Sequence, residues 1–449
     1  MSQSPRENSA INNWLASVAE AGRELLQRGP GIFNRKVGDY EQLAQLCEEL
    51  VSTKGEALGT ALAYEAVAIL NHLQPEDDVR FFQLLVEAFS TSREQVELAI
   101  SEYRDNPSVR NLHSLHRVSE SPRQELFRRI NISPGGTAAL VKMRERLLPL
   151  LADVPDFEAV DADLRHLMTS WFNRGFLQLR RIDWSSPASL LEKLMTYEAV
   201  HSVAGWEDLR RRLAFDRRCF GFFHPALENE PLIFVQVALT TGLASSVQAL
   251  LNGEVDVTAQ ETADTAIFYS ISDCQKGLRG ISFGNFLIKQ VLMDVRAELP
   301  DLQRFATLSP IPGFCRWLDQ ELPEEWLDQA TLASCRAACA KGSWPDIELH
   351  KSALLSLCAK YLYSAKDGQY PLDPVARFHL RNGARIDRLN WAGDTSAKGI
   401  RQSAGIMVNY SYDLSQVEER HENYLNKMIV ATGRDFEKTL NAKISPPRP

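Results

Sequence analysis

No apolar run in this chain approaches the ~20 positions that a membrane-spanning helix needs, so helices crossing a bilayer are set aside. Positive charge is not in excess: 50 Lys and Arg stand against 58 Asp and Glu, a formal net charge of −8. That balance argues against nucleic acid as a partner of the whole surface and leaves room for a local basic pocket. Cysteine is sparse and odd in number, seven in 449 residues, which reads as reduced thiols of a cytoplasmic protein rather than a disulfide framework. Cys335 and Cys339 fall one helical turn apart. With only His350 as a third ligand they lack the close spacing of a metal centre, so no metal is expected. No fixed period marks a solenoid. Met1-Ser2-Gln3-Ser4-Pro5-Arg6-Glu7-Asn8 lacks the pattern of a signal or transit peptide, and Pro446-Pro447-Arg448-Pro449 is no peroxisomal address.

What the chain has is length, enough for two domains, and a 44% hydrophobic fraction typical of globular proteins. Residues 10–174 read as helices without a convincing strand. Tyr40, Leu43, Ala44, Cys47 and Leu50 lie on one helical face. Thr91-Ser92-Arg93-Glu94 reads as a capping box, Asn106-Pro107 as a stop, and Ser133-Pro134-Gly135-Gly136-Thr137 as a turn and cap. The expectation is an all-α bundle of roughly eight helices over 1–175 that packs or oligomerises. His72, His113, His116 and His166 have no acidic or cysteine partners at ligand spacing and read as structural.

After Gly175 the texture changes. Residues 177–182, 217–223, 232–239 and 265–271 are strand candidates, the last the β-branched and aromatic run Ala266-Ile267-Phe268-Tyr269-Ser270-Ile271. Gly277, Gly280 and Gly284 then punctuate a turn into a helix with Phe286, Leu287, Val291, Leu292 and Val295 on its apolar face. Residues 305–308 form the next strand, running into Ser309-Pro310-Ile311-Pro312-Gly313-Phe314. Helices are expected over 323–340 and 349–364, a short helix capped by Asp373 with Pro374 at its first position, strands over 384–391 and 405–412, and a charged, solvated tail helix over 418–442. A strand, a glycine turn and a helix N-terminus make an anion site, because backbone N–H groups approach a phosphate there. The same glycines also serve an ordinary strand-to-helix turn, and the spacing is neither a Walker loop nor a clean dinucleotide fingerprint.

Arg279-Gly280-Ile281-Ser282-Phe283-Gly284-Asn285 resembles the loop of the GNAT acyltransferase superfamily that holds the pyrophosphate of coenzyme A, with Ser282 where a glycine is usual. The wider wording is more specific. His224-Pro225, Glu230-Pro231-Leu232-Ile233-Phe234-Val235-Gln236-Val237, Phe268-Tyr269-Ser270-Ile271-Ser272, Gly284-Asn285-Phe286-Leu287-Ile288-Lys289, Leu308-Ser309-Pro310-Ile311-Pro312-Gly313-Phe314 and Asp373-Pro374-Val375-Ala376-Arg377-Phe378-His379-Leu380 resemble the malonyl-CoA decarboxylase family. The resemblance covers nearly all of the chain beyond Gly175 and, more loosely, the helical part.

That resemblance implies an N-terminal all-α helical bundle followed by a GNAT-like mixed α/β catalytic domain over 176–449, and decarboxylation of malonyl-CoA to acetyl-CoA and carbon dioxide. It implies no cofactor beyond the substrate's own coenzyme A, no membrane partner, and a homo-oligomer, tetramer or dimer. Ser309 matches the serine that holds or polarises the malonyl group; alone it reads as a serine before Pro310 at a helix start. His379 matches the family's histidine; alone it reads as a core histidine, placed where a helix C-terminus would raise its pKa and favour imidazolium. Tyr412, in Asn409-Tyr410-Ser411-Tyr412, matches a tyrosine near the substrate, with a packed aromatic as the alternative. Arg279, Gly280, Ile281, Ser282, Phe283, Gly284 and Asn285 are implied to bind coenzyme A. Some relatives carry a glutamate where Ser282 stands, which takes acid or base chemistry away from that position. Two other functions fit a coenzyme A loop: a GNAT-type acyltransferase and a non-catalytic acyl-CoA sensor.

Overall fold

The computed structural model describes residues 17, 38–227, 229–281, 287–320, 322–323 and 326–442. The chain forms two compact units: Met1–Gln178 with Phe223–Glu230 and Gln275–Phe283, and Leu179–Phe222 with Pro231–Cys274 and Gly284–Pro449.

The first unit is helical. Its eight α-helices within the described residues 38–174 are α1 (Asp39–Ser52), α2 (Glu56–Leu70), α3 (Pro75–Glu87), α4 (Arg93–Asp105), α5 (Val109–Ser119), α6 (Pro122–Ile132), α7 (Gly136–Leu147) and α8 (Glu158–Trp171). On α1 the spacing of Leu43, Leu46, Cys47 and Leu50 buries one stripe. The cap of α4 sits one residue later than the capping box anticipates: Ser92 Oγ accepts the Gln95 N–H at 3.4 Å, because the helix begins at Arg93. Before α7, Gly135 takes φ +74°, and a Cβ on Gly136 would lie 1.8 Å from the Ile130 carbonyl oxygen, so only glycine passes that turn. Phe81, Phe82, Phe127 and Phe157 fill the interior. The hairpin α4–α5 buries almost nothing and leaves Leu98, Ile100, Val109 and Leu112 exposed.

The second unit is built on an eight-stranded sheet. Its strands are β1 (Gln178–Ile182), β2 (Arg217–Phe223), β3 (Pro231–Thr240), β4 (Thr265–Asp273), β5 (Arg304–Thr307), β6 (Ser309–Pro310), β9 (Arg385–Asn390) and β10 (Met407–Tyr412); β7 (Lys366–Asp367) and β8 (Tyr370–Pro371) form a separate ribbon. The order is β1-β2-β3-β4-β5-β10-β6, with β9 also on β10. β3 and β4 are antiparallel and β4 and β5 parallel, joined through the helix Leu287–Glu298, so the sheet is mixed. β2, β3 and β4 are buried along almost their whole length, which is why they read as continuous apolar runs.

The tail departs from expectation. Instead of one solvated helix it forms two, Val417–Lys427 and Arg434–Leu440, separated at Met428 with φ +54°. Between them the backbone joins β9: Ile386 N–H donates to Ala431 O at 2.9 Å and Gly433 N–H to Ile386 O at 2.7 Å. The unpaired edge of β9 takes up the chain where the helix stops, and Tyr424 and Phe436, one on each helix, are buried.

Candidate active site

Side chains on a strand alternate between faces, so residues two apart share one. Two such pairs build the site. Thr307 and Ser309 lie on one chain segment and Tyr410 and Tyr412 on its antiparallel neighbour, in the register Val408↔Ser309 and Ser411↔Ala306. Between these ladder positions the strand pairing is interrupted, and side chains replace it: Thr307 Oγ1 accepts the Tyr410 N–H at 3.2 Å, and Asn409 Nδ2 donates to Thr307 O at 2.7 Å. The interruption lets Ser309 turn its hydroxyl to Thr307 Oγ1, 2.8 Å away.

His379 arrives from the helix Pro374–Arg381. Asp373 caps this helix, its Oδ1 accepting the Ala376 N–H at 2.8 Å, and Pro374 occupies the first position without wasting a donor. Ala376, His379 and Leu380, three and four residues apart, form its buried face. The His379 ring stacks on Tyr410 with centroids 4.5 Å apart. Its Nε2 lies 3.0 Å from Ser309 Oγ and its Nδ1 2.8 Å from the Tyr412 hydroxyl.

Proton bookkeeping assigns the tautomer. The buried Tyr412 hydroxyl has no other acceptor among the described residues, so it donates to Nδ1. Nε2 then carries the ring hydrogen and donates to Ser309 Oγ, whose own hydrogen goes to Thr307 Oγ1. The imidazolium anticipated from the helix C-terminus is not what this setting favours. Burial lowers the His379 pKa to about 3. Its nitrogens face hydroxyls rather than a carboxylate, and a helix terminus contributes at most ~2 kcal/mol against the cost of burying the charge. Burial likewise pushes the Tyr412 phenol well above its usual range, and the Asp373 carboxyl up to about 6.

Ser309 and His379 line a cleft of about 250 Å3 walled by Phe268, Val375, Phe378 and Val200. Behind Ser270, also on its wall, Glu198 is buried and saturated: it accepts the backbone N–H groups of Val200 and His201 at 2.8 and 2.9 Å, Ser270 Oγ at 2.7 Å and Gln236 Nε2 at 2.6 Å. The fixed position of this carboxylate holds the wall at Val200 and Ser270.

The structure therefore brings Ser309, His379 and Tyr412 together. Thr307 and Tyr410 complete the set and were missed, although period-two counting back from Ser309 and Tyr412 points to both. Of the glycine turn, Arg279, Gly280 and Ile281 are described and belong to the helical unit. Arg279 and Gly280 are exposed, Ile281 is buried, and Gly280 has φ +79° with open space where a side chain would project. Ser282, Phe283, Gly284 and Asn285 lie outside the described residues. Among the described residues no group of three or more His, Cys, Asp or Glu side chains is placed to hold a metal ion, and no helix is long and apolar enough to cross a membrane.

Residues 175–448 match the malonyl-CoA decarboxylase C-terminal domain and residues 89–172 the N-terminal domain. The mitochondrial malonyl-CoA decarboxylase of Anser anser anser is 40% identical over 334 residues, 67% of this chain and 66% of its own length. That of Rattus norvegicus is 37% identical over 333 residues, 67% of each chain. The alignments thus span about two thirds of these relatives. The crystal structure of malonyl-CoA decarboxylase from Rhodopseudomonas palustris superposes with a TM-score of 0.85 at 47% identity, covering 89% of this chain and 99% of that one. The Agrobacterium vitis structure gives 0.81 at 46% identity, covering 89% and 100%. On these matches and this site, the chain belongs to the malonyl-CoA decarboxylase family, whose chemistry is that of a carboxy-lyase.

Proposed function

We propose that this chain decarboxylates malonyl-CoA through a thioester enolate at Ser309, His379 and Tyr412. The observation that carries the reading is the hydrogen-bonded run from Tyr412 through His379 to Ser309, ending at the cleft. The bond from the malonyl carboxylate to C2 breaks, its electron pair enters the thioester, carbon dioxide leaves, and C2 takes up a proton. The thioester is the electron sink, so the reaction calls on no cofactor. Ser309 orients or polarises the malonyl group by hydrogen bonding as charge develops. His379 delivers the proton from Nε2 as a neutral imidazole whose Nδ1 is held by Tyr412. One proton per turnover is recovered from solvent. On this reading Arg279, Gly280 and Ile281, with Ser282, Phe283, Gly284 and Asn285, receive the coenzyme A pyrophosphate.

The test is stoichiometric. Purified protein is given malonyl-CoA without an amine acceptor, and acetyl-CoA and carbon dioxide are followed for wild type and His379→Ala. Matched release that falls by ~100-fold or more in the variant supports the reading. Tight binding without turnover favours an acyl-CoA sensor, and turnover only on adding an amine favours an acyltransferase.

A homo-oligomer, dimer or tetramer, belongs to the same proposal. The exposed apolar residues of the α4–α5 hairpin support it, and sedimentation of wild type against Val109→Asp decides it. A cytoplasmic location is proposed from the reduced cysteines, all seven of them free; the vertebrate relatives are named mitochondrial, and cell fractionation separates the two.

A further inference from the structure

One buried cation in the helical unit has partners that packing alone does not require. Arg144 on α7 is 2% exposed and paired with Asp161 on α8, Nε to Oδ1 at 2.7 Å. Its Nη1 donates to two carbonyls of the glycine turn, Gly277 O at 2.6 Å and Arg279 O at 2.9 Å. The turn is seated closely as well: a Cβ on Gly277 would lie 1.9 Å from the Val141 carbonyl oxygen of α7.

The consequence follows from peptide geometry. In a trans peptide the carbonyl and the N–H point in opposite directions. The Arg279 carbonyl is fixed on Arg144, so the Gly280 N–H of the same peptide faces away from α7. That N–H has no acceptor among the described residues, whereas Leu278, Arg279 and Ile281 spend theirs within the turn. Gly280 is exposed, with nothing within 4 Å of the space a Cβ would fill. A donor without an acceptor among the described residues, beside the exposed Arg279 guanidinium, suits an anion. Arg144 is neutralised by Asp161 and faces carbonyls, so it fixes the turn without itself competing for the ligand.

We propose that Arg144, with Asp161, is a positioning residue for coenzyme A: it holds peptide 279–280 so that the Gly280 N–H meets a pyrophosphate oxygen. The inference rests on the proposed pyrophosphate role of this turn. It gives the helical unit a part in substrate binding beyond packing and association.

The experiment compares malonyl-CoA with malonyl-pantetheine, which has the same thioester and no pyrophosphate. The variants are Arg144→Met/Asp161→Asn, which leaves no lone buried charge, Arg144→Lys, which keeps the charge but loses the fork, and Gly277→Ala, which pushes the turn off α7. For all three the expected result is a KM for malonyl-CoA raised ~10-fold or more, kcat within ~3-fold, and kcat/KM for malonyl-pantetheine within ~3-fold of wild type. Equal losses on both substrates mean that Arg144 only supports the fold, and unchanged KM values mean that the turn needs no such hold; either result overturns the proposal, as does full recovery in Arg144→Lys. If wild type handles the two substrates alike, the pyrophosphate role of the turn fails first, and the proposal with it. Wild type that prefers malonyl-CoA beside variants that keep the preference sinks the Arg144 proposal alone.

Discussion

A histidine between two hydroxyls works differently from one beside a carboxylate. The unfolded His379 side chain takes a proton near its ordinary value of 6.5, whereas the folded one resists until about pH 3. Below pH 6.5 the unfolded state binds more protons, so this residue drains stability as pH falls across that window. Asp373 acts with the opposite sign: its carboxyl is raised from 3.8 to about 6, so its charging disfavours the fold as pH rises through that range. Comparing urea unfolding of wild type and His379→Gln between pH 4 and 7 isolates the histidine. The variant is expected to lose less stability on acidification; equal slopes would refute the neutral assignment. Activity should follow the same logic, with no loss of kcat assignable to His379 between pH 6 and 8 in a pH–rate profile. Tyr412→Phe removes the donor that fixes Nδ1 and is expected to lower kcat ~10–100-fold with a smaller change in KM, checked by steady-state kinetics. Thr307→Val leaves the Tyr410 N–H and the Ser309 hydroxyl without their acceptor, at about 1–3 kcal/mol of stability in denaturant titration.

At the scale of elements, the short helix of His379 was fully legible: Asp373, Pro374 and Asn382-Gly383 spell its start and stop, and the structure gives Pro374–Arg381. The buried strands were legible too, since an uninterrupted apolar run has few other meanings. What the sequence concealed was pairing. Nothing in Arg304 to Pro310 announces that one strand becomes two segments, because the break is made by Thr307 bonding to a strand about a hundred residues further on. The tail was misread for a related reason. Its helical spacing is real, yet the left-handed residue that ends the first helix is Met428 rather than a glycine or asparagine. Because Phe436 is fully buried, Phe436→Ala should cost about 3–5 kcal/mol, far more than loss from a solvated helix, as thermal and urea unfolding would show. Of the site, Ser309, His379 and Tyr412 came through resemblance and not through spacing; their mutual geometry depends on strand register, which local pattern does not encode.

For the molecule as a whole, the texture of the sequence changes near Gly175, and the first segment of the helical unit runs to Gln178. Invisible from sequence was that the helical unit takes two segments, Phe223–Glu230 and Gln275–Phe283, from far along the chain. His224 shows the attachment: its ring packs on Phe172 with centroids 4.7 Å apart, and its Nε2 lies 3.1 Å from Trp171 O. Expressed alone, residues 38–178 lack both segments and should melt at least ~5 °C below the corresponding transition of the whole chain, as calorimetry would measure.

The partners of Arg144 lie 133 and 135 residues beyond it. During synthesis the ribosome delivers α1 to α8 long before the turn that completes their interior. At ~5–20 residues per second, the nascent helical unit waits on the order of ten seconds with the Arg144–Asp161 pair facing a gap that no part of the chain yet fills. The ordinary rule that an N-terminal domain finishes first is broken here, and a pause in translation before residue 283 would prolong the interval in which a chaperone can bind.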